Sequence, residues 1–367
     1  MALSKVDLAN QVENQLPQNL VANNLPFRNI IINGDMSIAQ RGTSVSGVNT
    51  GYHTVDRFLI STTSGGSFDM AQSSDVPTGQ GFVTSLKLDC NTTHSFTSSQ
   101  EAFFQQRIEA QNLNRLKFGS ANAENFTISF WVKSNKTGNY SVWLYSPDTT
   151  NNASLQYTIN SANTWEKKVL NFVGDTSSSI ANDNGIGLEV RFYLAAGANI
   201  QGTPTATWST DYTNRYPTGG VNFLDSTSNE WLITGVQLEA GTTASDFEFL
   251  PYDVNLARCQ RYYYLHASGS AKTIGAGCYY NSTEINSIVK FKQTMRTEPS
   301  ISVVSGTNYY NMDSNGGQDY FNDFSIYQPS TNASMIYNAT QASGTGGQAG
   351  IVNTSNASAF LAFQAEL

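Results

Sequence analysis

Three stretches of this chain alternate apolar and polar side chains strictly, and that period of two limits the fold more than any other feature. In "ENFTISFWVKS" (124–134), Phe126, Ile128, Phe130 and Val132 share one face, while Thr127, Ser129, Trp131 and Lys133 share the other. "NYSVWLYS" (139–146) sets Val142 and Leu144 against Trp143 and Tyr145. "GIGLEVRFYLA" (185–195) sets Ile186, Leu188, Val190, Phe192 and Leu194 against Glu189, Arg191 and Tyr193. Helical side chains recur at 3.6 residues, so this period belongs to strands with one buried face. "TWEKKVLNFV" (164–173) and "EWLITGVQLEA" (230–240) add two more strands, and the "NKTG" between the first two carries hairpin chemistry. Such strands, separated by Gly/Asn/Ser turns and without helical interludes, predict an antiparallel sandwich over residues 27–250.

Composition agrees. Only 13% of the 367 residues are charged and 12% are aromatic, which suits all-β domains rather than a helical bundle. The net charge of −8 includes no basic stripe, which argues against a nucleic-acid partner. A weakly charged surface rich in Tyr and Trp matches neutral or polar ligands such as sugars, while the acidity also serves solubility. Cys90, Cys259 and Cys278 are too scattered for a disulfide framework or a CxxC metal pair, and buried free thiols are expected. No apolar run reaches membrane-spanning length and the start lacks a secretory layout, so the chain is expected to be assembled inside a cell, without membrane insertion.

Two helices interrupt the β pattern. In residues 1–26, Leu8, Val12 and Leu16 recur at helical spacing behind Ser4 and Asp7, and Pro17 ends the run. About three turns are marginal alone in water, so this segment is expected to attach or oligomerise. A frayed terminus is the plainer alternative. At 251 the period changes again. Tyr252, Leu256, Cys259 and Tyr263 form one helical stripe, with Tyr262–Tyr264 on the same helix filling a joint. Alternation then resumes in "EINSIVKFK" (284–292), "PSISVVS" (299–305), "FSIYQ" (324–328), "ASMIYNA" (333–339) and "SAFLAFQAEL" (358–367), with "SGTGGQAG" (343–350) as a turn or loop. Residues 251–367 therefore read as a second, smaller β-sandwich opened by a short helix.

Several blocks resemble a known kind of protein. "RNIIINGDMSIAQRG" (28–42) with "YHTVDRFL" (52–59) is similar to the start of a domain common in bacteriophage tail fibres and other appendages. "FTISFWVKS", "TWEKKVLNF" and "WLITGVQLEAGTTASDFEFLP" resemble strands of carbohydrate-binding-module-type jelly rolls. "NLARCQRYYY" (255–264), "FKQTMRTEPSISV" (291–303) and "FLAFQAEL" resemble the segment and C-terminal domain that follow in phage fibres. The resemblance implies a jelly roll within a virion component, a tail fibre or host-recognition appendage. It also implies a homotrimer, assembled in the host cytoplasm and acting outside the cell. On the residues themselves, Asn33–Gly34 offers a tight turn, and "TVDRF" places Asp56 and Arg57 on opposite faces of a strand as an anchor.

Enzymatic signatures are lacking. His53, His94 and His266 stand alone, and there is no GxSxG, no phosphate-cradling glycine loop and no HExxH. A glycosidase pair among 28 acidic residues stays open, but no solenoid repeat of the depolymerase kind is present, so a non-enzymatic role is expected. Sugar binding is the sharper reading. Trp131, Trp143, Tyr145 and Tyr193, edged by Glu189 and Arg191, form an aromatic platform if their strands are neighbours. The same residues could instead face a second sheet or a symmetry mate. In "ATWSTDYTNRYPTGG" (206–220), Trp208, Tyr212 and Tyr216 read as loop anchors for a glycan or a neighbouring subunit. Asp35 and Asp246 are candidate ligands of a structural calcium ion, with no other cofactor expected. The functional expectation is a host-glycan-binding virion protein that joins other virion proteins through its N-terminal segment. A purely structural capsid decoration or fibre adaptor is the alternative, and a polysaccharide depolymerase the third.

Overall fold

A computed structural model describes residues 26–63, 65–177 and 179–367. The N-terminal helix expected around Leu8, Val12 and Leu16 lies outside them. The chain divides into two compact units, the first ending at Leu250 and the second spanning Pro251–Leu367.

The first unit carries strands β1 (Ser44–Val48), β2 (Thr50–Tyr52), β3 (Phe58–Thr62), β4 (Ser67–Ser73), β5 (Ser85–Thr92), β6 (Glu101–Glu109) and β7 (Phe126–Ser134). It continues with β8 (Gly138–Ser146), β9 (Asn151–Ile159), β10 (Glu166–Phe172), β11 (Ile186–Ala196), β12 (Gln201–Gly202), β13 (Tyr216–Pro217) and β14 (Glu230–Ala240). Twelve of these make two six-stranded antiparallel sheets, ordered β1-β4-β5-β14-β7-β10 and β2-β3-β6-β11-β8-β9. The inward faces of β7, β8 and β11 are those the alternation predicts. Phe126, Ile128, Phe130, Val132, Val142, Leu144, Val190 and Phe192 are all fully buried between the sheets. Rings interlock across the gap: Phe130 meets Phe192 edge-on at 5.1 Å, and Trp231 meets Phe104 at 6.0 Å.

Pairing differs from expectation in one place. β7 and β8 do not form a hairpin, because β7 lies in the first sheet and β8 in the second. The "NKTG" turn instead carries the chain from one sheet to the other. Both strands bury the same kind of face, so both are satisfied by a shared core without pairing to each other.

Residues 28–38 close one end of the sandwich through side-chain amides. Asn29 accepts from Leu238 N and donates to Val236 O, while Gln106 exchanges two 2.8 Å bonds with the backbone of Ile32. Gly34 lies against β14, where a Cβ would stand 2.0 Å from Val236 O. Asp56 is fully buried and accepts from Gln40 N, while Arg57 donates to Arg107 O at 2.7 Å. Both therefore anchor, but not from a strand: Arg57 takes the left-handed conformation (φ 73°) just before β3 begins.

The second unit opens with α1 (Tyr252–Gln260) and continues through β15 (Tyr263–Ser268), β16 (Thr273–Tyr279), β17 (Ile285–Lys290), β18 (Ser300–Val303) and β19 (Tyr310–Ser314). It ends with β20 (Gly317–Phe321), β21 (Ser325–Tyr327), β22 (Ala333–Asn338), β23 (Ala349–Thr354) and β24 (Phe360–Gln364). These form a three-stranded sheet, β15-β24-β18, and a seven-stranded one, β20-β19-β23-β16-β17-β22-β21. The helix is shorter than its stripe implied. Tyr252 is 65% exposed, and Tyr263 and Tyr264 already belong to β15, where they pair with Gln364 and Phe363. Adjacent tyrosines suit a strand buried on both faces better than a helix end. The three thiols are free; Cys90 and Cys259 are buried, but Cys278 is exposed, contrary to expectation, on the outward side of β16.

Two outcomes follow. Gly34→Ala should cost about 1–3 kcal/mol in urea unfolding, because its methyl meets backbone that cannot rotate away. The second concerns Glu166, which caps the β9–β10 turn. Burial opposes its charge, but Lys168, the N–H groups of Ser161 and Asn160, and the Asn160 amide hold its carboxyl down to about 2 from an ordinary 4.5. A depressed carboxyl stabilises the fold above its unfolded pKa. That contribution is therefore present at neutral pH and lost as pH falls from 4.5 through about 2. Thermal melts against pH should show a shallower acid limb in Glu166→Gln.

Candidate functional site

The outward face of the second sheet gathers most of the residues singled out in the sequence. β6, β11 and β8 are neighbours, and their register sets three rows across the face. Gln105, Arg191, Trp143 and Ser154 form one, and Arg107, Glu189, Tyr145 and Asn152 the next. Phe103, Tyr193, Ser141 and Gln156 form the third. Alternation along each strand puts all of these opposite the core.

Charge and aromatic groups interleave there. The Arg191 guanidinium lies between two rings, 4.3 Å from the Phe103 centroid and 4.7 Å from that of Trp143. Its Nε and Nη2 donate to Glu189 at 3.0 and 2.5 Å, and Nη1 reaches Glu101 at 3.3 Å. Arg107 Nε meets the other Glu189 oxygen at 3.1 Å. Glu101 also accepts from Arg215 at 2.8 Å and from the Tyr193 hydroxyl at 2.6 Å. Three guanidinium groups thus share two carboxylates. Burial, and then the Glu101 charge, push the Tyr193 hydroxyl pKa well up, so it donates at neutral pH.

The loop between β12 and the strands after it roofs this platform. Ser154 and Ser141 hydroxyls hold Asn214 O and Arg215 O, and the Asn152 amide holds Ser209 O and Asp211 O. Arg215 stands 5.1 Å from Trp143 and 5.2 Å from Tyr212. Trp143 stacks on Tyr145 at 5.2 Å, and Tyr145 meets Tyr212 edge-on at 5.9 Å.

Several expectations need correction. Trp143 is 2% exposed and Tyr193 is fully buried, so they are the platform's floor rather than an open stacking surface, and Tyr216 is fully buried within the covering segment. Alternation tells which way a side chain points, not what the chain lays over it. Glu189 is likewise buried at 4%. Tyr145, Tyr212 and Arg191 remain partly exposed, as does Arg107. Trp131 is not in this cluster at all: it lies on β7 in the first sheet, opposite Lys167 and Thr234. Trp208 packs on Phe118 at 5.5 Å and donates to Val173 O, away from the platform.

Asp35 and Asp246, the candidate calcium ligands, each have protein groups beside them. Asp35 accepts from Ser37, and the ground beside Asp246 is held by Arg28, whose guanidinium donates to Asp246 O and to Ser245. Among the described residues no three His, Cys, Asp or Glu side chains converge as a metal-binding group.

Glu101, Phe103 and Arg107 lie on β6, which shows no clean strand signal in the sequence. Its alternation, "EAFFQQRIE", is blurred by Phe103 outward and Gln106 inward. Arg215 stands between loop aromatics in the sequence, where nothing local signals its reach to Glu101.

No protein-family model matches the chain, and no curated protein matches its sequence. Solved structures match the chain in part. The enzymatically active domain of tailspike protein 4 of bacteriophage CBA120 is 16% identical, covering 59% of this chain and 22% of that one, at a TM-score of 0.33. TmCBM61 in complex with β-1,4-galactotriose is 12% identical over 58% of this chain and 99% of its own, at 0.28. The family 11 carbohydrate-binding module of Clostridium thermocellum, in complex with a mixed-linked tetrasaccharide, is 10% identical over 55% and 96%, at 0.28. At such scores these likenesses add nothing to what the side chains themselves say.

Glu101→Gln should loosen the roof. Removing that carboxylate leaves Arg215 without its charge partner, while Arg191 keeps Glu189, at a cost of about 3 kcal/mol. Limited proteolysis should then cut within 203–215 where the native protein resists; an unchanged digest would show that the backbone bonds alone hold the loop.

Proposed function

We propose that this protein is a non-enzymatic, glycan-binding component of a bacteriophage appendage, with the saccharide docking on the outer face of the second sheet. The single observation that carries the glycan reading is the partly exposed pair Tyr145 and Tyr212. Both rings rest on a rigid floor of Trp143, with Arg107 and Arg191 alongside. Sugar rings stack on such faces while fixed charged groups take their hydroxyls, and a preorganised floor lowers the ordering cost of binding. Docking rather than bond-breaking suits the two carboxylates, since Glu101 and Glu189 are each occupied by guanidinium groups. The virion role is supported by the order of the fibre-like blocks along the sequence. A homotrimer would present three such faces together and turn weak contacts into avidity.

A second reading, a purely structural virion part, is favoured by how thoroughly Trp143, Tyr193 and Tyr216 are covered. Glycan arrays and adsorption to host cells separate the two. Tyr145→Ala and Tyr212→Ala should each weaken glycan binding roughly tenfold, at about 1.4 kcal/mol per ring contact, with unfolding midpoints little changed. Silence on the array together with no cell adsorption by the intact protein would favour the structural role.

A further inference from the structure

The outer face of the first sheet carries an aromatic and basic array that the platform above does not use. Trp131 on β7 pairs directly with Lys167 on β10. Continuing that register one step past Glu166↔Val132 sets Trp165 opposite Lys133. Two tryptophans and two lysines therefore alternate like squares of a checkerboard over two strands, all on the side away from the core.

This array is held in place from above. Asp75, in the connection between β4 and β5, accepts from Trp165 Nε1 at 2.9 Å and from Lys133 Nζ at 2.5 Å. Burial works against its charge, but those two bonds and the nearby lysines keep its carboxyl below the usual range. Trp131 is seated from the other side. Gly235, at φ 65°, bulges out of β14, and a Cβ there would stand 3.2 Å from Trp131 Cδ1 and 2.6 Å from Phe82 Cζ. The glycine thus lets both rings lie against bare backbone, and both indoles stay partly open to solvent. The charges are not balanced. Lys133 is neutralised by Asp75, whereas Lys167 is exposed and forms no ion pair with any described residue. In a chain of net charge −8, an unpaired cation directly across from a fixed indole is a local exception.

We propose that this face is a second saccharide site, separate from the Tyr145–Tyr212 platform, and that it takes a carboxylated sugar. The sugar ring stacks on Trp131, with Trp165 as the neighbouring wall, and its carboxylate pairs with Lys167. Phosphate or sulfate esters share the charge but not the flat carboxylate next to a stacking ring, and the probes distinguish them. The site stands on residues that the first platform does not contain, so either can fail alone.

The test uses the full chain and titrates oligogalacturonate, oligosialic acid and hyaluronan fragments against galacto-oligosaccharides and sulfated dextran. Calorimetry and tryptophan fluorescence report binding. A carboxylated probe should bind the native protein and quench its fluorescence. Lys167→Gln, an exposed change that spares the fold, should weaken that binding at least tenfold and flatten its salt dependence. Trp131→Ala should abolish the quench, whereas Tyr145→Ala should leave both intact. The site is overturned if no carboxylated probe binds. It is equally overturned if Lys167→Gln and Trp131→Ala bind like the native protein, or if neutral or sulfated probes bind Tyr145→Ala as well as carboxylated ones do. Loss on Tyr145→Ala with retention in Trp131→Ala would sink this site while upholding the other.

Discussion

Everything on the surface of the first unit depends on the rings locked between its two sheets. Phe104 and Phe192 from one sheet and Phe130 and Trp231 from the other meet at 5.1–6.5 Å. Because side chains alternate along a strand, committing these four inward commits Phe103, Tyr193, Trp131 and their row neighbours outward. A shift of register by one residue would exchange core and surface along a whole strand. The core is therefore what aims the functional faces, and its close packing gives them a rigid base.

The two outer faces then differ in what lies over them. On the second sheet, the loop after β12 brings Tyr212, Arg215 and Tyr216 down onto the platform. The result is a saturated lattice in which Glu101 and Glu189 each serve two arginines. Such a lattice trades open area for rigidity, leaving only the rings at its margin to meet a ligand. On the first sheet, the connection holding Asp75 touches the array at two atoms and leaves the indoles partly open. One chain thus uses the same ingredients, aromatic rings and paired charges, in a covered form and a more open one.

Side-chain amides do the joining that hydrophobic burial cannot. Asn29 and Gln106 satisfy backbone groups of Leu238, Val236 and Ile32 where residues 28–38 cross the sandwich end. This explains why a block so regular to the eye, "RNIIINGDMS", is not a strand: its three isoleucines are buried, yet its hydrogen bonds run to other side chains and to β14.

The sequence by itself determined the fold class and the inward faces of β7, β8 and β11, because alternation is a local property that any one strand displays. It also determined which residue types would point outward from those strands. Tertiary structure decided the rest. Whether β7 pairs with β8 or crosses to the other sheet depends on how two apolar faces share one core, which no short stretch encodes. The same holds for β6, where Gln106 and Phe103 break the pattern for partners 74 residues away at Ile32 and across the sheet at Arg191. The covering of Trp143 and the openness of Trp131 are likewise set by loops, whose resting place is fixed by contacts distant in the chain.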